Sequence, residues 1–66
     1  MAKRIPVRKP LATLGVTLRD LRGRRNLSQE ALAARAEIHR TYLGGVERGE
    51  RNPSFLALNR ILNALN

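Results

Sequence analysis

The sequence of 66 residues contains no cysteine, no tryptophan and one histidine. Without cysteine, neither a disulfide nor a thiolate metal site can stabilise the chain. His39 alone cannot supply several ligands to one metal ion, so we expect no metal and no other cofactor. Five acidic residues, one histidine and no phosphate-binding loop provide no nucleophile with a paired base. We therefore expect a protein that is not an enzyme and that binds no small-molecule ligand.

Aromatic residues and long apolar segments are also scarce. Tyr42 and Phe55 are the only aromatic residues, which leaves few platforms on which single-stranded bases could stack. No run of about 18 apolar residues occurs, so no membrane-spanning helix is predicted. The basic first ten residues are not followed by the apolar segment of a signal peptide. These absences favour a cytoplasmic protein without a membrane partner.

Positive charge dominates what the sequence does contain. Thirteen lysine and arginine residues against five acidic residues give a formal net charge of +8, and eleven of the thirteen are arginine. The planar guanidinium group of arginine suits phosphates and guanine edges. The charge indicates a polyanionic partner, which is either nucleic acid or an anionic membrane surface. A membrane-active peptide would form one long amphipathic helix, whereas caps and breakers divide this chain into four short segments.

The character of the sequence changes at residue 11. Residues 1–10 combine four positive charges with two prolines and predict a basic flexible arm, either a frayed terminus or a segment that lies along nucleic acid. From Leu11 onwards, leucines recur at helical spacing, and this first predicted helix ends near Arg25. We assign residues 11–66 to one compact all-α domain, because four short helices in so few residues must share a core.

Polar and glycine signals delimit the other three helices. Ser28 is a good N-cap for a second helix that runs to Ala36. A third helix begins at His39 or Arg40 and stops at Gly49, a residue type common just past a helix end. Ser54 caps the fourth helix. The apolar face predicted for the fourth helix consists of Phe55, Leu58, Ile61, Leu62 and Leu65.

Two adjacent glycines interrupt the third helix, although each glycine costs about 1 kcal/mol relative to alanine in a helix interior. A helical wheel places five residues on the side opposite Leu43 and Val46: Arg40, Thr41, Gly44, Gly45 and Arg48. We predict that this side faces outward and that the glycines allow a ligand such as a DNA major groove to approach the backbone. Simple tolerance of small residues at a surface is the alternative.

The stretches LSQEALA, RTYLGGVERG and NPSFLALNRILNAL resemble, in this order, the helix-turn-helix region of phage repressors, Cro and xenobiotic-response-element-type regulators. The similarity covers about residues 14–65, and RTY followed by ERGERN is especially similar to the controller proteins of restriction–modification systems. It implies a four-helix repressor-like domain that binds double-stranded DNA at a palindromic operator, regulates transcription and is associated with the nucleoid. The alternatives are a non-specific basic nucleic-acid-binding module and an antitoxin-like protein-interaction module.

The resemblance also implies roles for individual residues. The base-reading positions are Arg40, Thr41, Gly44 and Gly45. The phosphate-contacting positions are Gln29, Tyr42, Arg51 and Asn52, to which we add Arg48 from the outward side of the third helix. Arg22 and Glu47 match a partly buried salt bridge that many relatives contain.

The sequence departs from the family pattern at two places. Glu37 occupies a turn position that commonly holds glycine or asparagine, because it tends to need a positive φ, which costs glutamate about 1 kcal/mol. The sequence ends at Asn66, straight after the fourth helix, where many relatives have a fifth helix that builds a dimer interface. We therefore expect a weak homodimer formed by the fourth helix and the chain end. Its candidate residues are Leu56, Asn59, Asn63 and Leu65.

Overall fold

A computed structural model describes residues 8–66. This part of the chain consists of four α-helices and no strand, which confirms the predicted all-α class. The helices are α1 (Arg8–Arg24), α2 (Gln29–Ala36), α3 (Arg40–Glu47) and α4 (Phe55–Leu65). None of these helices is long and apolar enough to cross a membrane.

α1 begins at Arg8 rather than at Leu11, so residues 8–10 belong to the helix and not to the predicted arm. Pro10 is compatible with this start, because the first turn of a helix does not use the backbone N–H that proline lacks. The rest of the predicted arm, residues 1–7, lies outside the described residues.

Side-chain caps fix the starts of α2 and α4 where the sequence predicted them. The Ser28 hydroxyl accepts a hydrogen bond from the Ala31 N–H at 3.0 Å, and the Ser54 hydroxyl accepts one from the Ala57 N–H at 3.1 Å. Each bond satisfies one of the backbone donors that a helix leaves free in its first turn.

Left-handed residues end α2 and α3. Glu37 has a φ of 58° just after α2, as the family resemblance implied for this turn. Gly49 has a φ of 75° after α3. The Gly49 N–H donates to the Val46 carbonyl at 3.0 Å and the Glu50 N–H donates to the Gly45 carbonyl at 2.9 Å. This pair of bonds is a Schellman motif, which turns the chain sharply away from α3.

All four helices contribute to one core. Its buried apolar residues are Leu18 of α1, Leu32, Ala33 and Ala36 of α2, Leu43 and Val46 of α3, and Ile61 and Leu65 of α4. α2 packs against both α3 and α4, and α1 packs against α3. The alanines of α2 present little bulk, so its neighbours can approach closely.

Gly15 lies where α1 meets the end of α3. A Cβ atom at Gly15 would stand 2.6 Å from the Val46 carbonyl oxygen and still closer to that of Glu47. Such a contact with backbone cannot be relieved by a rotamer change. No role was predicted for Gly15, because an isolated glycine in a helical pattern does not by itself indicate close packing. Gly23 in the same helix would meet nothing within 4 Å if it carried a Cβ atom.

Two parts of the predicted apolar face of α4 are wrong. Phe55 is 85% exposed and Leu62 is 46% exposed, whereas Ile61 and Leu65 are buried. The apolar stripe of α4 is wider than its contact with the other helices, so only one edge of the stripe turns inward. Leu65, which was predicted both for the apolar face and for the dimer contact, is 3% exposed. Its carbonyl oxygen accepts a hydrogen bond from the Arg25 guanidinium, which ties the end of α4 to the segment after α1.

Candidate nucleic-acid interface

The first residues of α3 project from the surface. Arg40 and Thr41 are both exposed, as the helical wheel predicted. The Arg40 Nη1 atom lies 3.3 Å from the Glu30 Oε1 atom of α2. Both side chains are largely in solvent, with 62% of Arg40 and 75% of Glu30 exposed. The pair therefore spans the two helices of the helix-turn-helix at its outer surface.

Gly44 and Gly45 are buried in the free protein, so their backbone is not exposed to solvent there. The approach of DNA to this backbone stays a prediction. A Cβ atom at Gly44 would lie 3.1 Å from Arg48 Nη1 and 3.6 Å from Gln29 Oε1. A Cβ atom at Gly45 would lie 3.5 Å from the Cβ atom of Arg51. The glycines point outward as predicted, but long polar side chains lie across them. Side-chain atoms of Gln29, Arg48 and Arg51, and not the core, lie nearest to these positions.

The two arginines at the far end of α3 also have intramolecular partners. Arg48 Nε lies 3.1 Å from Glu50 Oε1, and both side chains are exposed. The Arg51 guanidinium stacks over the Tyr42 ring, with its central carbon 5.2 Å from the ring centre. The Tyr42 hydroxyl accepts a hydrogen bond from the Ser54 N–H at 3.2 Å, which leaves its own proton available to an acceptor. Asn52 is exposed next to Arg51.

Arg22 and Glu47 form a two-point salt bridge at the inner side of this surface. Arg22 Nε donates to Glu47 Oε2 at 2.8 Å, and Arg22 Nη2 donates to Glu47 Oε1 at 3.0 Å. The Glu47 side chain is 2% exposed and that of Arg22 is 15% exposed. Arg22 Nη1 also donates to the Leu27 carbonyl at 2.8 Å. A buried ion pair of this kind needs such additional bonds to offset the loss of hydration.

Gln29 connects the buried salt bridge to the surface. Its Nε2 atom donates to Glu47 Oε1 at 3.0 Å. Its Oε1 atom faces Gly44. In the free protein the side chain of this predicted phosphate-contacting residue therefore serves the network around Glu47.

The predicted dimer residues divide into two groups. Leu56, Asn59 and Asn63 are exposed on α4, whereas buried Leu65 offers almost no surface to a partner. Phe55 and Leu62 were predicted to face inward. They are exposed, and as residues i and i+7 they lie on the same side of α4. The exposed face of α4 is thus more apolar than the sequence predicted.

Neither Glu30 nor Glu50 was among the predicted site residues. The structure places each of them against an arginine of the predicted DNA-contacting set. No spacing rule connects residues 30 and 40, because they lie on different helices, so this contact had no sequence signal.

Residues 13–66 match the profile of a protein family described as a helix-turn-helix domain. The chain is 47% identical over 53 residues to the control protein C.SmaI of Serratia marcescens, which is 80% of this chain and 63% of that protein. It is 42% identical over 52 residues to the control protein C.BamHI of Bacillus amyloliquefaciens, which is 77% of this chain and 64% of that protein. The chain therefore spans slightly less than two thirds of the length of these relatives.

Two solved structures are similar over most of their length. The restriction–modification controller protein C.AhdI from Aeromonas hydrophila superimposes with a TM-score of 0.85 at 44% identity, covering 86% of either chain. The controller protein C.Esp1396I superimposes with a TM-score of 0.79 at 31% identity, covering 83% of this chain and 72% of that one. The latter structure is a tetramer in complex with its natural operator of 35 base pairs.

Proposed function

The chain belongs to the helix-turn-helix domain family, and from this membership we propose that it is a sequence-specific regulator of transcription that binds double-stranded DNA. In this proposal α3 enters the major groove, and two copies of the chain occupy a palindromic operator. The site of action is the cytoplasm, at the nucleoid. Similarity to control proteins that include C.SmaI and C.AhdI supports a controller-like role.

One observation carries the proposal: the exposed cationic and polar side chains around α3 form a single face. Arg40 and Thr41 lie at its N-terminal end, and Arg48, Arg51 and Asn52 lie at and beyond its C-terminal end. Recognition helices of this class contact base edges with their N-terminal residues, while flanking residues contact the backbone. A net charge of +8 adds a general attraction to phosphate.

We assign base reading to the start of α3. Arg40 donates to the O6 and N7 atoms of a guanine, a contact that contributes about 1–3 kcal/mol of discrimination. Thr41 contacts the neighbouring base. Arg48 and Arg51 bind phosphates, and to do so their side chains move away from Gly44 and Gly45. The backbone of α3 can then lie closer to the bases.

The remaining polar residues of this face contact the DNA backbone. Tyr42 donates its free hydroxyl proton to a phosphate, and Asn52 binds nearby. Gln29 approaches a phosphate at the start of α2 while its amide continues to support Glu47. These contacts orient the domain but carry little sequence information.

The outer face of α4 supplies the contact between two copies. Phe55, Leu56 and Leu62 expose apolar surface there, and Asn59 and Asn63 provide polar groups around it. Exposed apolar patches on small proteins commonly mark interaction surfaces. The area of one short helix is small, so the dimer is weak in free solution and is strengthened by two half-sites about 34 Å apart.

Selection of duplexes from a random library tests the proposal. We expect recovery of a palindromic site, and we expect sedimentation of its complex to show two chains per duplex. Equal affinity for the selected duplex and for a scrambled duplex of the same composition would instead support a non-specific basic module. A one-to-one complex at saturating protein would contradict the dimer alone.

A further inference from the structure

Glu30 is a negative charge inside the surface that we assign to DNA. Its Oε1 atom lies 3.3 Å from Arg40 Nη1, on the side chain proposed to read a base. Both partners are exposed, and salt bridges between exposed side chains contribute little to folding. Glu30 also lies in the first turn of α2, where a carboxylate complements the helix dipole. That benefit does not depend on the contact with Arg40, and the same carboxylate repels phosphates that approach this surface.

The geometry of the contact affects two modes of DNA binding by Arg40 differently, namely base readout and phosphate binding. A guanidinium group has five N–H donors, and Glu30 contacts one terminal nitrogen of Arg40. The remaining N–H groups can donate to the neutral O6 and N7 acceptors of guanine while Glu30 stays in place. A phosphate in the same position would bring its negative charge next to the carboxylate.

We propose that Glu30 is a specificity-determining residue, which holds Arg40 for base readout and penalises its use as a phosphate contact. This inference rests on the proposed function. On random DNA, Arg40 can gain a phosphate contact only by giving up its contact with Glu30. The Glu30 carboxylate is then left unpaired beside the phosphates. On the correct site, Arg40 keeps Glu30 and gains a base edge. The carboxylate thus weakens binding to random DNA more than binding to the operator.

The chain contains a matched control for this charge. Asp20 is also exposed and also pairs with an arginine, since its Oδ2 atom lies 3.0 Å from Arg24 Nε on α1. Glu30→Gln and Asp20→Asn each remove one exposed carboxylate from such a pair and raise the net charge by the same amount. They differ in whether the partner arginine lies on α3.

The experiment measures the affinities of wild type and both variants for two duplexes, the one selected from the random library and its scrambled version. We expect Glu30→Gln to bind the scrambled duplex about two- to fivefold more tightly and the selected duplex with a smaller gain. Its salt slope on the scrambled duplex should steepen by about 0.9, because Arg40 then neutralises one more phosphate. Asp20→Asn should leave both the ratio of the two affinities and the salt slope close to those of wild type.

The melting temperature serves as a check on structure. It should be nearly unchanged in Asp20→Asn and slightly lower in Glu30→Gln, which removes a favourable charge from the first turn of α2. If Glu30→Gln and Asp20→Asn change the two affinities in parallel, the inference is overturned while the proposed function stands. If wild type does not distinguish the two duplexes at all, the proposed function and the inference both fail.

Discussion

Gly15 lies in α1 and faces the end of α3, whereas Gly44 and Gly45 lie within α3. The surroundings of these two sets of helical glycines differ. A Cβ atom at Gly15 would overlap with the backbone carbonyls at the end of α3. A Cβ atom at Gly44 or Gly45 would meet only side-chain atoms of surface residues, at 3.1 Å or more. Backbone in a packed helix cannot move aside, whereas an arginine can change rotamer. The fold therefore requires the first glycine, but it does not require the other two.

The difference assigns a cause to each glycine. Helix propensity opposes glycine at all three positions, so each needs an offsetting benefit. At Gly15 the benefit is the close crossing of α1 and α3, which lies beside the salt bridge of Glu47. At the pair on α3 the described residues contain no packing reason for glycine, so the proposed approach of DNA to the helix backbone is the benefit that we test below. Mutations at the two regions should accordingly change different measured quantities.

The largest effect should come from removing the buried carboxylate at the crossing. Glu47→Ala leaves Arg22 without its partner, and breaking a buried pair costs about 3–5 kcal/mol, which is comparable to the whole stability of a domain of this size. We expect a chain that is largely unfolded by circular dichroism. Glu50→Ala removes an exposed carboxylate from the same region and should melt close to wild type. A folded Glu47→Ala variant with an unchanged melting temperature would contradict the structural role of the pair.

The second effect tests the crossing itself. Gly15→Ala should lower the free energy of unfolding by about 1–3 kcal/mol, because α1 must shift away from the end of α3. Gly23 belongs to the same helix, and a Cβ atom there would meet nothing within 4 Å. Gly23→Ala should therefore raise stability by up to about 1 kcal/mol. Denaturant unfolding measures the change in the free energy of unfolding for both variants. Changes of the same sign would contradict the predicted difference between Gly15 and Gly23.

At the outward pair, stability and binding should move in opposite directions. Gly45→Ala should stabilise the free domain by about 0.5–1 kcal/mol, since its Cβ atom would make ordinary contacts. It should also weaken binding to the selected operator, because the methyl group keeps α3 away from the bases. Gly44→Ala should behave similarly, with a smaller gain because Arg48 must yield slightly. A variant that is more stable and binds equally well would favour simple tolerance of glycine at a surface.

The smallest change in stability should follow removal of the side chain that covers Gly45. Arg51→Ala loses an exposed stacking contact with Tyr42, so the melting temperature should change little. If Arg51 neutralises one phosphate in the complex, the dependence of log affinity on log salt should become shallower by about 0.9. Titrations at several salt concentrations measure this slope. An unchanged slope would remove Arg51 from the phosphate contacts and leave it as a cover only.

Local chemistry made much of the fold predictable. The caps at Ser28 and Ser54 depend on a few consecutive residues, and the structure places both as expected. The left-handed turn at Glu37 was implied only by the family resemblance, and it is also present. The period of apolar residues likewise identified the four helices. It could not decide which edge of the wide stripe on α4 turns inward, because this depends on how α4 crosses α2. Phe55 and Leu62 were misplaced for this reason.

The candidate site was less predictable, because side chains from different helices complete it. The wheel placed Gly44 and Gly45 on the outward side, but it contains no information about Arg48 and Arg51 folding back over them. Pairing of Arg22 with Glu47 was expected only from resemblance, and no local pattern predicts that Gln29 joins it. The contact between Glu30 and Arg40 had no sequence signal at all.

Gln29 combines an observed hydrogen bond to Glu47 with a proposed phosphate contact. This combination limits how the proposed DNA-binding surface could be redesigned. Arg40 and Thr41 project into solvent, so they can be substituted without disturbing the interior. If they read bases as proposed, such substitutions should change the preferred DNA sequence. Gln29 donates a hydrogen bond to buried Glu47. If it also contacts a phosphate as proposed, a substitution there should change DNA binding and folding together. New DNA specificities should therefore evolve most easily through substitutions at residues 40 and 41, while Gln29 is retained for its hydrogen bond to Glu47.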